Sequence, residues 1–255
     1  MNRITQLFQE KKNNILSIYY TAGYPGLGDT VAIAEALQEA GADMLEIGFP
    51  YSDPVADGPV IQASSKHSLD SGMDLNLLFE QLKDLRRKVS IPVLLMGYVN
   101  PVLQYGVENF CKACVEAGVD GCIVPDLPMY EYEELYKDVF LQNNLCNIFL
   151  VTPQTSEERI RKIDALSNGF IYLLSSSATT GKNLDVSDVT TTYFARIAAM
   201  ELNNPTMIGF GISSKDTFDK ACKYANGGII GTAFVKALAE GDLRENISSF
   251  MKTFR

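Results

Sequence analysis

The chain contains no tryptophan and a single histidine, His67. One histidine, between Gln62 and Leu69 in a predicted helix, supports no Ser–His–Asp relay and reads as a surface or locally satisfied side chain. Basic residues are scarce: 22 Lys and Arg against 31 Asp and Glu leave a net charge of −9, which argues against nucleic acid or an anionic membrane as a partner. Apolar runs stop short of the ~18 residues that a membrane span needs. The opening stretch Met1–Asn14 is polar and lacks the apolar region of a secretory signal. Cysteines number five, at irregular spacings. Cys111 and Cys114 form a CxxC pair, but a zinc site needs about four ligands, so they read as small buried hydrophobes and no metal is expected. Odd, unpatterned cysteines fit a reducing cytoplasm. No linker or low-complexity stretch interrupts the chain, which predicts a single domain over residues 1–255.

With 46% hydrophobic residues in 255 positions, one large core can form. Eight apolar runs of strand length recur: Ile15–Thr21, Met44–Gly48, Val93–Tyr98, Gly121–Val124, Asn147–Val151, Phe170–Ser175, Met207–Phe210 and Gly228–Gly231. Their continuous apolarity predicts strands covered on both faces. Helical spacing fills the intervals, as in Ile33, Leu37 and Ala40, or Val107, Phe110, Cys111 and Cys114. Thr155 with Glu158 has the spacing of a capping box, and a further helix over Ile4–Asn13 precedes the first strand. The pattern Glu-Ala-Gly-x-Asp occurs at 39–43 and again at 116–120, each time ending a helix on glycine just before a strand. This rhythm predicts a (β/α)8 TIM barrel with an extra N-terminal helix, with a doubly wound open sheet as the rival.

In such a barrel the chemistry sits on the loops after the strands. Glu46 is the one charge in the run Met44–Gly48, and strand parity sets it opposite Leu45 and Ile47. If those two pack on helices, Glu46 points into the barrel. Desolvation there raises its pKa toward the range useful for proton transfer, unless a cation pairs with it. The following loop carries Asp53 and Asp57 among three prolines and a glycine, which restrict its shape. Gly209–Ser214 and Gly231–Phe234 form glycine-bearing turns ahead of helices after the last two strands. That is where barrels often hold phosphate on backbone N–H groups, with no need of a basic surface. Residues 175–183 form a long polar loop of small side chains, suited to a lid.

The segment from Leu45 to Gln62, LEIGFPYSDPVADGPVIQ, resembles the signature of the tryptophan synthase alpha chain family. Thr21–Pro25, Tyr98–Pro101, Gly118–Gly121 with Pro125–Pro128, Tyr172–Ser175, Gly209–Ser213 and Gly231–Ala233 resemble further family segments in the same order, so the likeness spans nearly the whole chain. The resemblance implies a TIM-barrel lyase that cleaves indole-3-glycerol phosphate to indole and glyceraldehyde 3-phosphate. It also implies a tryptophan synthase beta chain as partner in an alpha2-beta2 complex. No cofactor is expected in this chain, and pyridoxal phosphate (PLP) is expected in the beta chain. By alignment Glu46 and Asp57 take the catalytic positions. Tyr172, Thr180 and Phe210 take substrate-binding positions, and Gly181, Gly211, Gly231 and Thr232 phosphate-binding ones, with Thr232 where many relatives carry serine. The apolar, proline-bearing segments Tyr51–Pro59 and Asp126–Tyr130 are the expected beta-chain contact. The sixth loop departs from the family pattern: Ser176 stands for an arginine and Ala178 for a glycine. That departure leaves open a second role, a weakly catalytic subunit that mainly activates the beta chain.

Overall fold

The computed structural model describes residues 1–175, 188–209, 211–239 and 241–254. Its centre is a closed parallel barrel in which each strand pairs with the next and the eighth with the first, so the open-sheet alternative is excluded. The strands are β1 (Ile15–Thr21), β2 (Met44–Gly48), β3 (Val93–Met96), β4 (Gly121–Ile123), β5 (Cys146–Val151), β6 (Ile171–Leu174), β7 (Thr206–Gly209) and β8 (Gly227–Ile230). Strand β3 ends earlier than its apolar run. Gly97 follows it beneath Phe49, whose ring fills the space a Cβ at that position would need, and Tyr98 then caps the helix Val99–Tyr105.

Strand parity separates two cores. Leu45, Ile47, Val93 and Leu95 face outward and meet helix residues such as Ile33, Leu37 and Leu78. Ile15, Met44, Leu94, Ile148, Phe170, Met207 and Ile229 fill the barrel. The N-terminal helix Arg3–Glu10 plugs the end where the strands begin. Asn2 caps that helix by accepting from the Ile4 N–H at 2.9 Å, and its amide donates to the carbonyls of Asp120 and Asn144. Ile4 is fully buried in the barrel core, a burial that contributes about 1.5–3 kcal/mol, and Phe8 lies 6.0 Å from Phe170, ring centroid to centroid.

Both repeated helix-to-strand junctions form as expected, with Gly41 at φ +91° and Gly118 at φ +76°. The helix Glu157–Leu166 corrects one expectation. Ser156, not Thr155, is its cap and accepts from the Arg159 N–H, while the Thr155 hydroxyl is drawn back to the Thr152 N–H. The cysteines at 111, 114, 122 and 146 are free and buried. His67 lies on the helix Pro59–Asp70, with Nε2 2.8 Å from the Pro25 carbonyl oxygen and its ring edge-on to Tyr24. Among the described residues no helix is long and apolar enough to cross a membrane.

Candidate active site

Strand β2 brings Glu46 into the barrel opposite Tyr19 of β1 and Leu94 of β3. The side chain is fully buried. One oxygen, Oε1, accepts from the Ser17 hydroxyl at 2.9 Å, and Oε2 has no hydrogen-bond partner among the described residues. Burial raises the carboxyl from 4.5 to about 8, and the bond from Ser17 opposes part of that rise. Among the described residues no Lys or Arg forms an ion pair with it, so none of them supplies the cation that a structural glutamate would need.

Asp57 reaches the same end of the barrel from the loop after β2. Its peptide N–H donates to the Pro54 carbonyl, and its own carbonyl accepts from the Gln62 side chain at 2.8 Å, which ties the loop to the helix that follows. Tyr98 donates to Oδ2 at 3.0 Å and in turn accepts from the Ala56 N–H at 2.9 Å. Desolvation raises Asp57 from 3.8 to about 6, against the lowering effect of the Tyr98 hydroxyl. Two carboxyl groups are thus both pushed upward, by different amounts, because one is wholly enclosed and the other sits at the rim.

Tyrosines line the space between them. Tyr172 of β6 is buried, and its hydroxyl occupies the space a Cβ at Gly209 would take. Burial raises its pKa well above the ordinary value, and the charges of Glu46 and Asp57 push the same way. Tyr19 lies over Gly48 on one side and against Gly231 on the other, at 3.3 Å from the place of a Gly231 Cβ. Its ring therefore spans from the Glu46 strand to the turn after β8. Tyr19, Asp57 and Tyr98 line one small cavity together with Phe49, Met96 and Pro125.

Gly211 with φ +79° and Gly231 follow β7 and β8 at this same end, and Gly231 caps the short helix Thr232–Ala237. The turn after β7 is more self-contained than its sequence suggests. Ser214 and Thr217 form a reciprocal capping box, and the Thr217 hydroxyl takes the N–H groups of both Ser213 and Ser214. Of the residues expected here, Glu46, Asp57, Tyr172, Gly211, Gly231 and Thr232 lie at one end of the barrel; Thr180, Gly181 and Phe210, like Ser176 and Ala178, lie outside the described residues. Sequence reasoning gives no role to Ser17, Tyr19 or Tyr98. Ser17 and Thr21 are the small polar residues at inward positions of β1, and the sequence alone does not tell which of them meets Glu46.

A parallel eight-stranded barrel whose strand ends carry a carboxyl pair with raised pKa values defines a (β/α)8-barrel enzyme suited to acid–base chemistry. The sequence model of the family described as tryptophan synthase alpha chain matches residues 4–254. The chain is 57% identical over 251 residues to the tryptophan synthase alpha chain of Flavobacterium psychrophilum, covering 98% of each. With that of Parabacteroides distasonis it shares 56% over 238 residues, 93% of each. The tryptophan synthase alpha subunit structure from Legionella pneumophila superposes with a TM-score of 0.89 at 31% identity, covering 100% of this chain and 97% of that one. The chain belongs to the tryptophan synthase alpha chain family. Membership places it among the lyases of L-tryptophan biosynthesis, with cleavage of indole-3-glycerol phosphate as its reaction.

Proposed function

We propose that Glu46 and Asp57 carry the cleavage between them. Breaking the bond from indole C3 to the glycerol chain requires a proton on C3 and loss of the proton from the hydroxyl on the carbon next to it. The carbon–carbon electron pair then returns to the ring, indole leaves, and the other product is the aldehyde, glyceraldehyde 3-phosphate. Glu46, neutral below about pH 8, delivers the proton to C3, and its carboxylate then takes the one from the hydroxyl. Asp57, ionised above about pH 6, accepts from the indole N–H and stabilises the positive charge that grows on that nitrogen. The reaction therefore uses a window in which Asp57 is charged and Glu46 is not. The order of the two pKa values supports this assignment, since one carboxyl is buried outright and the other is held at the rim by Tyr98.

The phosphate of the substrate is held by backbone N–H groups at Gly181, Gly211, Gly231 and Thr232, with Tyr172, Thr180 and Phe210 around the indole and glycerol parts. The chain acts as one domain in the cytoplasm and has no cofactor of its own; a beta chain bound in an alpha2-beta2 complex carries PLP and consumes the indole. An open cavity of about 880 Å³ beside Pro50, Tyr51 and Asp53, bounded by Asn100 and Pro101, suits that contact, as do the exposed Val55 and Tyr130 nearby. Steady-state indole release by Glu46→Gln, alone and with the beta chain, tests the assignment. Loss of a positioned proton-transfer group predicts a fall of about 10²–10⁴ in kcat with the fold intact. A variant that cleaves like the parent removes Glu46 from the mechanism. A parent chain that releases no indole in either condition favours the activating role.

A further inference from the structure

The inward positions of β1 alternate with Leu16, Ile18 and Tyr20, which pack outward. They hold Ile15, Ser17, Tyr19 and Thr21, and Tyr19 is the one paired with Glu46. Ser17 is paired with Met44, one inward position earlier, roughly 6–7 Å of strand nearer the plugged end of the barrel. Even so, the Ser17 hydroxyl donates to Oε1 of Glu46 at 2.9 Å, and both side chains are fully buried. The carboxyl is therefore drawn down from the mouth, toward a layer that is otherwise hydrocarbon. The second oxygen, Oε2, is buried with no hydrogen-bond partner among the described residues.

We propose that Ser17 is a positioning residue for the cleavage: its hydroxyl anchors Oε1 of Glu46 in the lower layer of the barrel and leaves Oε2 as the oxygen that exchanges a proton with the substrate. This role rests on Glu46 being the acid–base group. A hydroxyl that donates to Oε1 puts the acid proton of the neutral form on Oε2, so the same atom gives the proton and takes one back. The anchor also selects one rotamer of a side chain that nothing else holds by a hydrogen bond among the described residues. The titratable groups that face Glu46 are Tyr19 from β1 and Tyr172 from β6, and Asp57 acts on the same two tyrosines. From β3 it meets Leu94, and no cation pairs with it among the described residues. Ser17 is thus the donor that favours its ionised form, and removing it moves the titration further up.

The test compares Ser17→Ala and Ser17→Thr in the full chain with the beta chain present. One readout is kcat and KM for indole-3-glycerol phosphate across pH. The other is the ¹³C titration of the Glu46 carboxyl, assigned by its absence in Glu46→Gln. Ser17→Ala should lower kcat roughly tenfold and leave KM within about twofold, since Ser17 does not touch substrate. It should also raise the titration midpoint of the carboxyl by about one pH unit, and threonine should restore both values. A Ser17→Ala chain with parental kcat and midpoint overturns the proposal. So does a fall in kcat with an unmoved midpoint that threonine does not restore, since that reports packing alone. Glu46→Gln separates the two roles. If it cleaves like the parent, the acid–base assignment fails and takes the role of Ser17 with it. If it is inactive while Ser17→Ala behaves as parent, only the role of Ser17 falls.

Discussion

The two ends of the barrel treat carboxyl groups in opposite ways. Where the strands begin, Asp120 accepts from Arg3 at 2.9 Å, from Arg86 at 2.6 Å and from the Val93 N–H at 2.9 Å. Asp43 is met there by Lys11 and the Leu16 N–H, and Asp164 by the backbone and side-chain N–H groups of Asn203 and Asn204. Where the strands end, Glu46 and Asp57 each accept from a single side-chain hydroxyl, and no cation pairs with either among the described residues. Both ends bury carboxyl groups, so burial alone does not distinguish structure from chemistry. The supply of donors does. A carboxylate surrounded by donors ties elements together, whereas one left short of them is pushed toward its neutral form and becomes a proton carrier.

The contrast breaks most visibly at Asp120. Its two oxygens gather the N-terminal helix, the segment around Arg86 and the start of β3, and the side chain is 3% exposed. Asp120→Ala leaves Nη2 of Arg86 and the Val93 N–H without their acceptor and removes the carboxylate that offsets the guanidinium charge, and breaking a buried pair in this way costs about 3–5 kcal/mol. Urea unfolding should record that loss, while indole release per folded molecule stays near the parental value. A variant that keeps its stability but loses activity would reverse the assignment of the two ends. At the other end, Asp57→Asn should do the opposite: unfolding nearly unchanged, and kcat lower by about 10²–10³, the usual effect of losing one electrostatic contact to a transition state. In the parent, activity should rise as Asp57 ionises near pH 6 and fall as Glu46 ionises near pH 8. The asparagine variant should lose the acid limb of that profile and keep the alkaline one.

Much of this arrangement was legible from the sequence, for a definite reason. Strands covered on both faces must be apolar throughout, so a charge such as Glu46 in the run Met44–Gly48 stands out without any structure. The loop after that run offers Asp53 and Asp57, and the family signature selects Asp57. Other features depend on what lies across the sheet. Ser17 gains its meaning from its offset against Glu46, and nothing in the sequence separates it from Thr21, the other inward polar residue of the strand. The acceptor role of Asp120 depends on Arg86, which is 34 residues away, and that of Asp164 on Asn203, 39 residues away. The cap at Ser156 rather than Thr155 turned on which of two adjacent hydroxyls was claimed first by the Thr152 N–H. At the turn after β7, glycine content suggested free backbone donors, but the Thr217 hydroxyl already takes two of them.

Stability against pH separates one carboxyl group at each end, because Glu46 and Asp164 act with opposite signs. Glu46 titrates near 4.5 in an unfolded chain and near 8 in the folded one. Between those values the folded state keeps a proton that the unfolded state releases, so its contribution is complete below about pH 4.5 and is lost as pH rises through about 8. Glu46→Gln has no such loss. Its stability relative to the parent should therefore grow between about pH 5 and 8.5, by about 2–4 kcal/mol, because each tenfold difference in proton affinity between the two states is worth at most about 1.4 kcal/mol. Paired urea titrations at the two pH values check this, and a constant difference would show that the carboxyl is not confined in the folded state.

Asp164 runs the other way and is the smallest of these effects. Burial alone would raise its pKa, but the N–H groups of Asn203 and Asn204 outweigh that and hold it below the ordinary value of 3.8. A lowered group adds stability above its unfolded pKa and loses it as pH falls through the folded one. Asp164→Asn keeps the shape and one carbonyl acceptor but sets an amide N–H against a ring of donors. Solvent reaches this edge of the barrel, so the cost at neutral pH should be only about 1 kcal/mol. It should shrink on acidification, because the parent then loses the charge that distinguishes it from the variant. Thermal unfolding of both chains between about pH 7 and 3 measures the trend. If the gap instead widened toward acid, Asp164 would be held as a neutral acid like Glu46, and the two ends of the barrel would no longer differ in how they hold their carboxyl groups.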